Sequence, residues 1–307
     1  MIYTVTLNPA LDKTVQIPSF RLGEVNRISA MRTDPGGKGI NVSKVLRELG
    51  EPSVAAAILG GAAGRKIESA LRALGIEGLY LFTGHETRTN LKIVDPTLHT
   101  NTDVNEPGVP ADEAVLSKLL SQLTGRLRPG DLVVLSGKAP AGAPDTLYRD
   151  WILACRAAGA AVYLDAEGEL LRQGVTAVPA LIKPNQAELS GVMGRPLTTE
   201  DETIRAAQEL LAQGVGCVAV TMGAGGALLC WTDCVLRCES PRVPVGSTVG
   251  AGDSVVAALA YARQLSREDT ARLAMATGAA NVMCSGTQAA RLGDIEQLLP
   301  QVRVTRL

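Results

Sequence analysis

The run Leu132-Val133-Val134-Leu135-Ser136-Gly137 decides the fold. Four apolar β-formers in a row, without polar alternation, describe a strand buried on both faces, and it halts at a serine and a glycine. The same unit recurs on either side. Asp112–Leu127 and Pro144–Ala158 read as flanking helices, and Ala161-Val162-Tyr163-Leu164-Asp165 as a second buried strand. Residues 166–173 read as a helix, Ala180-Leu181-Ile182-Lys183-Pro184-Asn185 as a strand, and the chain as helical through 213. Cys217-Val218-Ala219-Val220-Thr221 is a further strand, closed by Met222-Gly223-Ala224-Gly225-Gly226. Upstream, residues 2–8 and Ser53–Gly60 are core strands, and Arg65–Leu74 is a helix stopped by Gly75. Such strands alternating with helices predict an α/β fold whose mostly parallel central sheet is covered on both faces. The strands end in Ser136-Gly137, Asp165, Lys183-Pro184-Asn185 and Thr221. Those ends share one edge of the sheet, the edge where open α/β sheets hold ligands, and a nucleotide is expected along it.

Two blocks break the alternation. Thr14-Val15-Gln16-Ile17 with Gly23–Ile28, and Thr87–Val94 with Thr100–Asn105 across a Pro96 turn, are short strands with little helix character. Together they predict a small β-sheet lid from segments about 12–34 and 86–106, set on a single domain spanning 1–307. Asn8-Pro9-Ala10-Leu11-Asp12 ends the first strand, which makes Asp12 a candidate substrate contact; a turn aspartate is the plainer reading.

Bulk composition narrows the classes. Thirty basic residues against 31 acidic ones, with no dense basic block, argue against nucleic acid as a partner. No apolar run reaches spanning length, and the first residues read as a strand rather than a secretory leader, so a soluble, cytoplasmic protein is expected. Cys155, Cys217, Cys230, Cys234, Cys238 and Cys284 are scattered. The four-residue spacing of Cys230, Cys234 and Cys238 matches no common zinc pattern and falls in a hairpin turning near Thr232-Asp233, so reduced, partly buried thiols are expected.

The chemistry concentrates in two glycine clusters. Val249-Gly250-Ala251-Gly252-Asp253-Ser254 opens the apolar helix Val255–Ala260. Main-chain N–H groups at a helix start, together with the helix dipole, favour an anion, and Asp253 stands beside them as a potential base. That pairing is what phosphoryl transfer to a hydroxyl requires; a glycine-rich turn with Asp253 as a cap is the alternative. Pro35-Gly36-Gly37-Lys38-Gly39-Ile40-Asn41 opens a second helix. Lys38 suits an anion and Asn41 a sugar hydroxyl. The cluster is not a Walker A loop, since Gly39 follows Lys38, nor a dinucleotide fingerprint, since Val42 stands where a third glycine is due. Arg88 is a fork-shaped cation suited to a phosphate, or else a surface arginine paired with an acid. Without an intact Gly-x-Gly-x-x-Gly after the first strand, an oxidoreductase is disfavoured. His85 and His99 lie in lid-like segments and no Gly-x-Ser-x-Gly occurs, which disfavours a serine hydrolase.

Taken together, Gly36–Val42, Lys183-Pro184-Asn185-x-x-Glu188-Leu189, Thr221–Ala227 and Ser247–Ser254 resemble the PfkB family of ribokinase-like sugar kinases. Thr6–Asp12, Gly23–Arg27, Thr87-Arg88 and Ser247-Thr248-Val249 resemble in particular its 1-phosphofructokinase and tagatose-6-phosphate kinase branches. The resemblance implies an αβα sandwich with a β-lid, pairing lid to lid in a homodimer, and the use of ATP with Mg²⁺. It implies that Asp253 accepts the proton of the acceptor hydroxyl while the amides of Gly250, Ala251 and Gly252 hold the transferred phosphoryl. Asn185 and Glu188 would organise the metal and its waters, Thr221, Gly223 and Gly226 would line the nucleotide phosphates, and Asn281 would lie near adenine. Asp12, Gly37, Asn41 and Ser136 would hold sugar hydroxyls. Lys38 and Arg88, joined by Arg27 from a partner's lid, would take the phosphate already on the substrate. The implied reaction carries the γ-phosphoryl of ATP to the 6-hydroxyl of fructose 1-phosphate, with tagatose 6-phosphate or fructose 6-phosphate as alternative acceptors. Two departures stand out: Lys138-Ala139 where the family has Ser-Leu, and Ala166-Glu167 where it has a serine at the second position.

Overall fold

A computed structural model describes residues 1–110, 112–284 and 286–307. In chain order the elements begin β1 (Ile2–Thr6), β2 (Ala10–Gln16), β3 (Ala30–Gly36), α1 (Lys38–Glu48), β4 (Ser53–Gly60), α2 (Gly61–Ala73), β5 (Glu77–Thr83), β6 (Thr89–Asp95) and β7 (Thr100–Asn105). They continue with α3 (Glu113–Arg126), β8 (Leu132–Ser136), α4 (Leu147–Ala157), β9 (Ala161–Asp165), α5 (Gly168–Val175), β10 (Leu181–Ile182), α6 (Gln186–Met193) and α7 (Glu200–Ala212). The last are β11 (Val218–Thr221), β12 (Ala227–Cys230), β13 (Val235–Glu239), α8 (Ala251–Tyr261), α9 (Arg267–Val282), α10 (Leu292–Leu298) and β14 (Arg303–Arg306).

The main sheet has the order β14-β13-β12-β11-β10-β9-β8-β1-β4-β5. From β11 to β5 every pairing is parallel, and β12, β13 and β14 extend it antiparallel. Strand side chains alternate between two cores, as the two-residue period of a pleat demands. Val133 and Leu135 join Leu119, Trp151, Leu171 and Leu210 on the face covered by α3, α4, α5 and α7. Leu132 and Val134 join Val45, Val256, Ala276 and Ile295 on the face covered by α1, α8, α9 and α10. The three-layer α/β arrangement read from the sequence is therefore the observed one. On the second face both α8 and α9 bury several alanines, among them Ala257, Ala258, Ala260, Ala274, Ala276 and Ala280, small side chains that permit close approach.

A separate four-stranded sheet runs β3-β2-β6-β7, parallel at its central pair and antiparallel at both outer pairs. Its strands fall within or beside the two blocks singled out above, with differences in detail. Gly23–Ile28 is not a strand but part of an exposed loop, gathered by Asn26, whose Nδ2 donates to the Arg21 and Glu24 carbonyls. The strand opposite β2 is β3, which begins after that loop. The strand β5, just ahead of the second block, belongs to the edge of the main sheet and not to the small one. Asp95 ties the loop down, accepting the amides of Ser19, Phe20, Thr97 and Leu98. These four donors hold its carboxyl below the ordinary carboxylate range against the opposing effect of burial.

All six cysteines are free, and Cys230, Cys234 and Cys238 are buried in the β12–β13 hairpin. Among the described residues no cluster of three metal-ligating side chains occurs, and no helix is long and apolar enough to cross a membrane.

Candidate active site

A cleft of ≈ 670 Å³ lies where the main sheet's strand ends meet the small sheet. The N-termini of α1 and α8 both open into it. Glycine is required at the start of α1. Gly37 has φ 118°, and a Cβ on Gly39 would stand 2.5 Å from the Val5 carbonyl. The helix thus begins flush against β1, anchored by the Ile40 amide donating to Thr6 Oγ1 at 2.9 Å. That contact sets Lys38 and Asn41 at the cleft floor.

Across from them, Gly250 adopts φ 84° and turns the chain into α8, placing Asp253 in its first turn. Asn41 Nδ2 donates to Asp253 Oδ2 at 2.8 Å. The carboxyl is 6% exposed, yet it lines the cleft rather than the apolar core. Burial, and then the negative Asp165, push it up to about 6, while Asn41, Lys38 and Lys183 pull the other way. Among the described residues the amides of Gly250, Gly252 and Asp253 meet no acceptor, whereas the Ala251 amide faces the Thr248 carbonyl at 3.4 Å. Of the three amides named from the sequence, those of Gly250 and Gly252 are open and that of Ala251 is engaged, while the amide of Asp253 is open as well.

Asp165, at the end of β9, binds Lys183 Nζ at 3.2 Å and Lys38 Nζ at 3.4 Å. Burial opposes the charge on Lys38, but Asp165, Asp253 and Glu188 outweigh it and raise its pKa. The Lys183 ammonium also lies against Gly252: a Cβ there would be 3.4 Å from Nζ. Two cations and a helix N-terminus thus converge beside one carboxyl, an arrangement built to receive negative charge.

The small sheet supplies the facing wall. Asn90 Nδ2 donates to Asp12 Oδ1 at 2.9 Å. Burial raises the Asp12 pKa, opposed by Asn90, Lys44 and Arg88. Arg88 bridges the Asn90 side chain and the carbonyls of Glu106 and Asn8, leaving Nε without a partner among the described residues. Lys92 reaches Ser247, just ahead of α8, at 3.3 Å. Ser136 Oγ and Asp165 Oδ2 are buried and likewise without a partner among the described residues. Orphaned buried atoms of this kind are what a cleft awaiting a polar ligand presents.

Of the residues singled out in the sequence, Asp12, Gly37, Lys38, Asn41, Arg88, Ser136, Gly250, Gly252 and Asp253 line this one cleft. Another group lies further along the same strand edge. Asn185 and Thr221 form a parallel bridge, and Gly223–Gly225 is a 3₁₀ turn directly after β11. Gly226 packs its Cα against the Cys238 carbonyl. Asn185 and Glu188 cap α6 reciprocally, each side chain accepting the other's amide at 2.8 Å. Asn281 stands beside Gly250, with its Nδ2 on the Gln288 carbonyl. Arg27 lies in the exposed loop before β3, in a surface groove formed by its own neighbours, and does not reach the cleft of its own chain. Lys44 escaped the sequence reading. It is a charged residue inside a stretch of α1 that the fold buries from Gly39 to Leu46.

Residues 5–292 match the model of the pfkB family of carbohydrate kinases. The chain belongs to that family. Among pfkB proteins it is 36% identical to the 1-phosphofructokinase of Bacillus subtilis over the whole of both chains. It is 41% identical to that of Rhodobacter capsulatus over 90% of this chain and 88% of the relative. The crystal structure of phosphofructokinase-2 from Escherichia coli in complex with fructose-6-phosphate superimposes with a TM-score of 0.90, at 28% identity and covering 98% of each chain. The pfkB glycine clusters are thus the two helix starts that frame the cleft, and the family departures Lys138 and Glu167 lie at its mouth, joined by an ion pair at 3.0 Å.

Proposed function

We propose that this chain transfers the γ-phosphoryl group of ATP to the 6-hydroxyl of fructose 1-phosphate, yielding fructose 1,6-bisphosphate and ADP. The observation that carries the reading is Asp253: a buried carboxyl in the cleft, oriented by Asn41, next to unpaired helix amides. Its pKa, raised to about 6, leaves it ionised at neutral pH and still basic enough to take a proton. In the step proposed, the 6-hydroxyl gives its proton to Asp253 as its oxygen bonds to the γ-phosphorus. The bond from that phosphorus to the β–γ bridging oxygen breaks, and ADP leaves. The amides of Gly250, Gly252 and Asp253, with Lys183, offset the charge on the phosphoryl in flight.

The remaining roles follow the geometry. Asp12, Asn41, Ser136 and the backbone at Gly37 offer partners for sugar hydroxyls. Lys38 and Arg88 face the substrate's 1-phosphate, and Arg27 is left to serve the cleft of a second copy. Thr221, Gly223, Gly226 and Asn281 border the strand edge where the nucleotide lies. A Mg²⁺ ion held largely by ATP phosphates asks only one or two carboxylates of the protein. Glu188 fits, since one of its oxygens is committed to its capping box and the other is not. Asn185 fits less well as a direct ligand, because its Oδ1 already accepts the Glu188 amide. The ion would neutralise charge on the transferred group. The small sheet serves as the cover of the cleft, and its exposed apolar residues support pairing of two chains through it. A cytoplasmic location accords with this metabolic role.

The curated relatives support fructose 1-phosphate; the fructose-6-phosphate complex of the structural neighbour supports fructose 6-phosphate as a second acceptor. An ADP-release assay over fructose 1-phosphate, fructose 6-phosphate, tagatose 6-phosphate, fructose and ribose tests the reading. Turnover is expected to be fastest with fructose 1-phosphate. A clear preference for another sugar overturns the substrate, and an active Asp253→Asn variant overturns the base.

A further inference from the structure

Lys44 is 6% exposed, and its ammonium donates to three oxygens: the Pro35 carbonyl at 3.1 Å, Asn41 Oδ1 at 3.1 Å and the Thr287 carbonyl at 2.6 Å. A lysine ammonium has three donors and no acceptor, so each of its protons is placed. A carboxamide has one accepting and one donating end. With the lysine on one side of Asn41 and the Asp253 carboxylate on the other, a single orientation satisfies both. The oxygen must face Lys44, and the NH₂ must face Asp253.

We propose that Lys44 is a positioning residue for catalysis: by fixing which end of the Asn41 amide meets Asp253, it keeps the base ionised and aims its proton-accepting oxygen at the cleft. The inference rests on the assignment of Asp253 as base. Without the lysine, the Asn41 amide is free to turn over. Its oxygen would then face the carboxylate, which favours the protonated acid and leaves less of the base ionised at neutral pH. The lysine is not an incidental buried charge either. Burial lowers its pKa, and Asp34, Asp12 and Asp253 work against that fall while Arg32 adds to it. Every acid in that set lines the cleft or the β3 strand beside it.

The groups facing Asp253 are Asn41 and Lys38 from α1, Asp165 from β9 and Lys183 after β10. Only Asn41 is in contact with Lys44, so an effect of Lys44 beyond its own charge must pass through that amide. In the Lys44→Met variant the acid limb of the kcat profile should move up by about one pH unit. With the parent limb at about 6, the rate should fall roughly twofold at pH 7 and approach a 10-fold loss in acid below both values, and it should recover in alkaline buffer. Lys44→Arg, which keeps a donor-only side chain, should restore the limb. Lys44→Met should have little further effect on the limb in an Asn41→Leu background. If the Met variant does not fold, Lys44→Gln takes its place, with the same shift at smaller size. A rate lowered equally at all pH values, with the acid limb unmoved, overturns the inference. Asp253→Asn distinguishes the two levels: retained activity there sinks the base itself, whereas an inactive Asp253→Asn with an unmoved Lys44→Met limb sinks only the role of Lys44.

Discussion

Lys138 and Glu167 face each other at 3.0 Å across the mouth of the cleft, so the two residues that depart from the family pattern are partners. One sits after β8 and the other after β9, adjacent strands of the main sheet. A new cation beside a sugar-phosphate cleft, left unpaired, would add to its positive field; the glutamate next door offsets it. Both side chains are largely solvated, so the pair should contribute only about 0–1 kcal/mol to stability. Glu167→Ala alone should lower KM for the sugar phosphate at low salt by releasing Lys138. The double Ala variant should return KM toward the parent value. A steady-state KM comparison checks this, and equal KM values in all variants would show that the mouth carries no selectivity.

The raised pKa of Asp253 has a cost in stability. Between the ordinary aspartate value of 3.8 and about 6 the folded chain holds a proton that the unfolded chain has released. Stability therefore falls as pH rises through that window, and the loss is complete above it. Asp253→Asn should be inactive, by a factor of roughly 10²–10⁴, and yet melt a few degrees higher at neutral pH. The gain should shrink as the pH falls toward ~3, where the parent's carboxyl is protonated in both states. Calorimetry at the two pH values checks this; a variant less stable than the parent at neutral pH would mean that the charged carboxylate is net stabilising.

Gly39→Ala should damage both fold and function. The added methyl meets the Val5 carbonyl and Thr6 Oγ1, which are main chain and an anchoring hydroxyl. Overpacking of this kind costs about 1–3 kcal/mol. Because α1 carries Lys38, Asn41 and Lys44, the helix cannot retreat without disturbing the cleft. The expected result is a lower Tm and a lower kcat together, checked by thermal melts and the ADP-release assay.

The small sheet exposes Met31 and Val104, and the loop between β2 and β3 exposes Leu22 at 89% and Val25 at 84%. By strand register Met31 lies opposite Val15, and Val104 opposite Leu91, so both edges of the sheet add apolar area to one face. If two chains pair through it, Met31→Asp with Val104→Asp should halve the mass seen in sedimentation. It should also raise KM for the sugar phosphate, because Arg27 of the second copy is withdrawn. An unchanged mass would place the interface elsewhere.

The strands β8, β9 and β11 were legible because each is an apolar run bounded by a polar or glycine turn. The strand β3 was not. Its sequence Ala30-Met31-Arg32-Thr33-Asp34-Pro35-Gly36 has poor strand propensity, and it becomes a strand by pairing with β2 along seven residues. Asp253 and Asn41 could be singled out because a glycine-flanked helix start has few uses. The open amides were harder to name, since the turn at Thr248 engages that of Ala251. Lys44 lay beyond reach. Two of its three acceptors are main-chain carbonyls, and that of Thr287 is 243 residues away, invisible until the fold brings it back.

The Asn41–Asp253 contact joins positions 212 residues apart. A chain made from its N-terminus completes the sugar-facing half of the cleft, with α1 docked on β1, long before α8 exists. The nascent protein can therefore acquire a place for its acceptor without any means of splitting ATP. Reactivity arrives only when the last helices dock, so truncated products of interrupted synthesis should be catalytically silent rather than wasteful hydrolases.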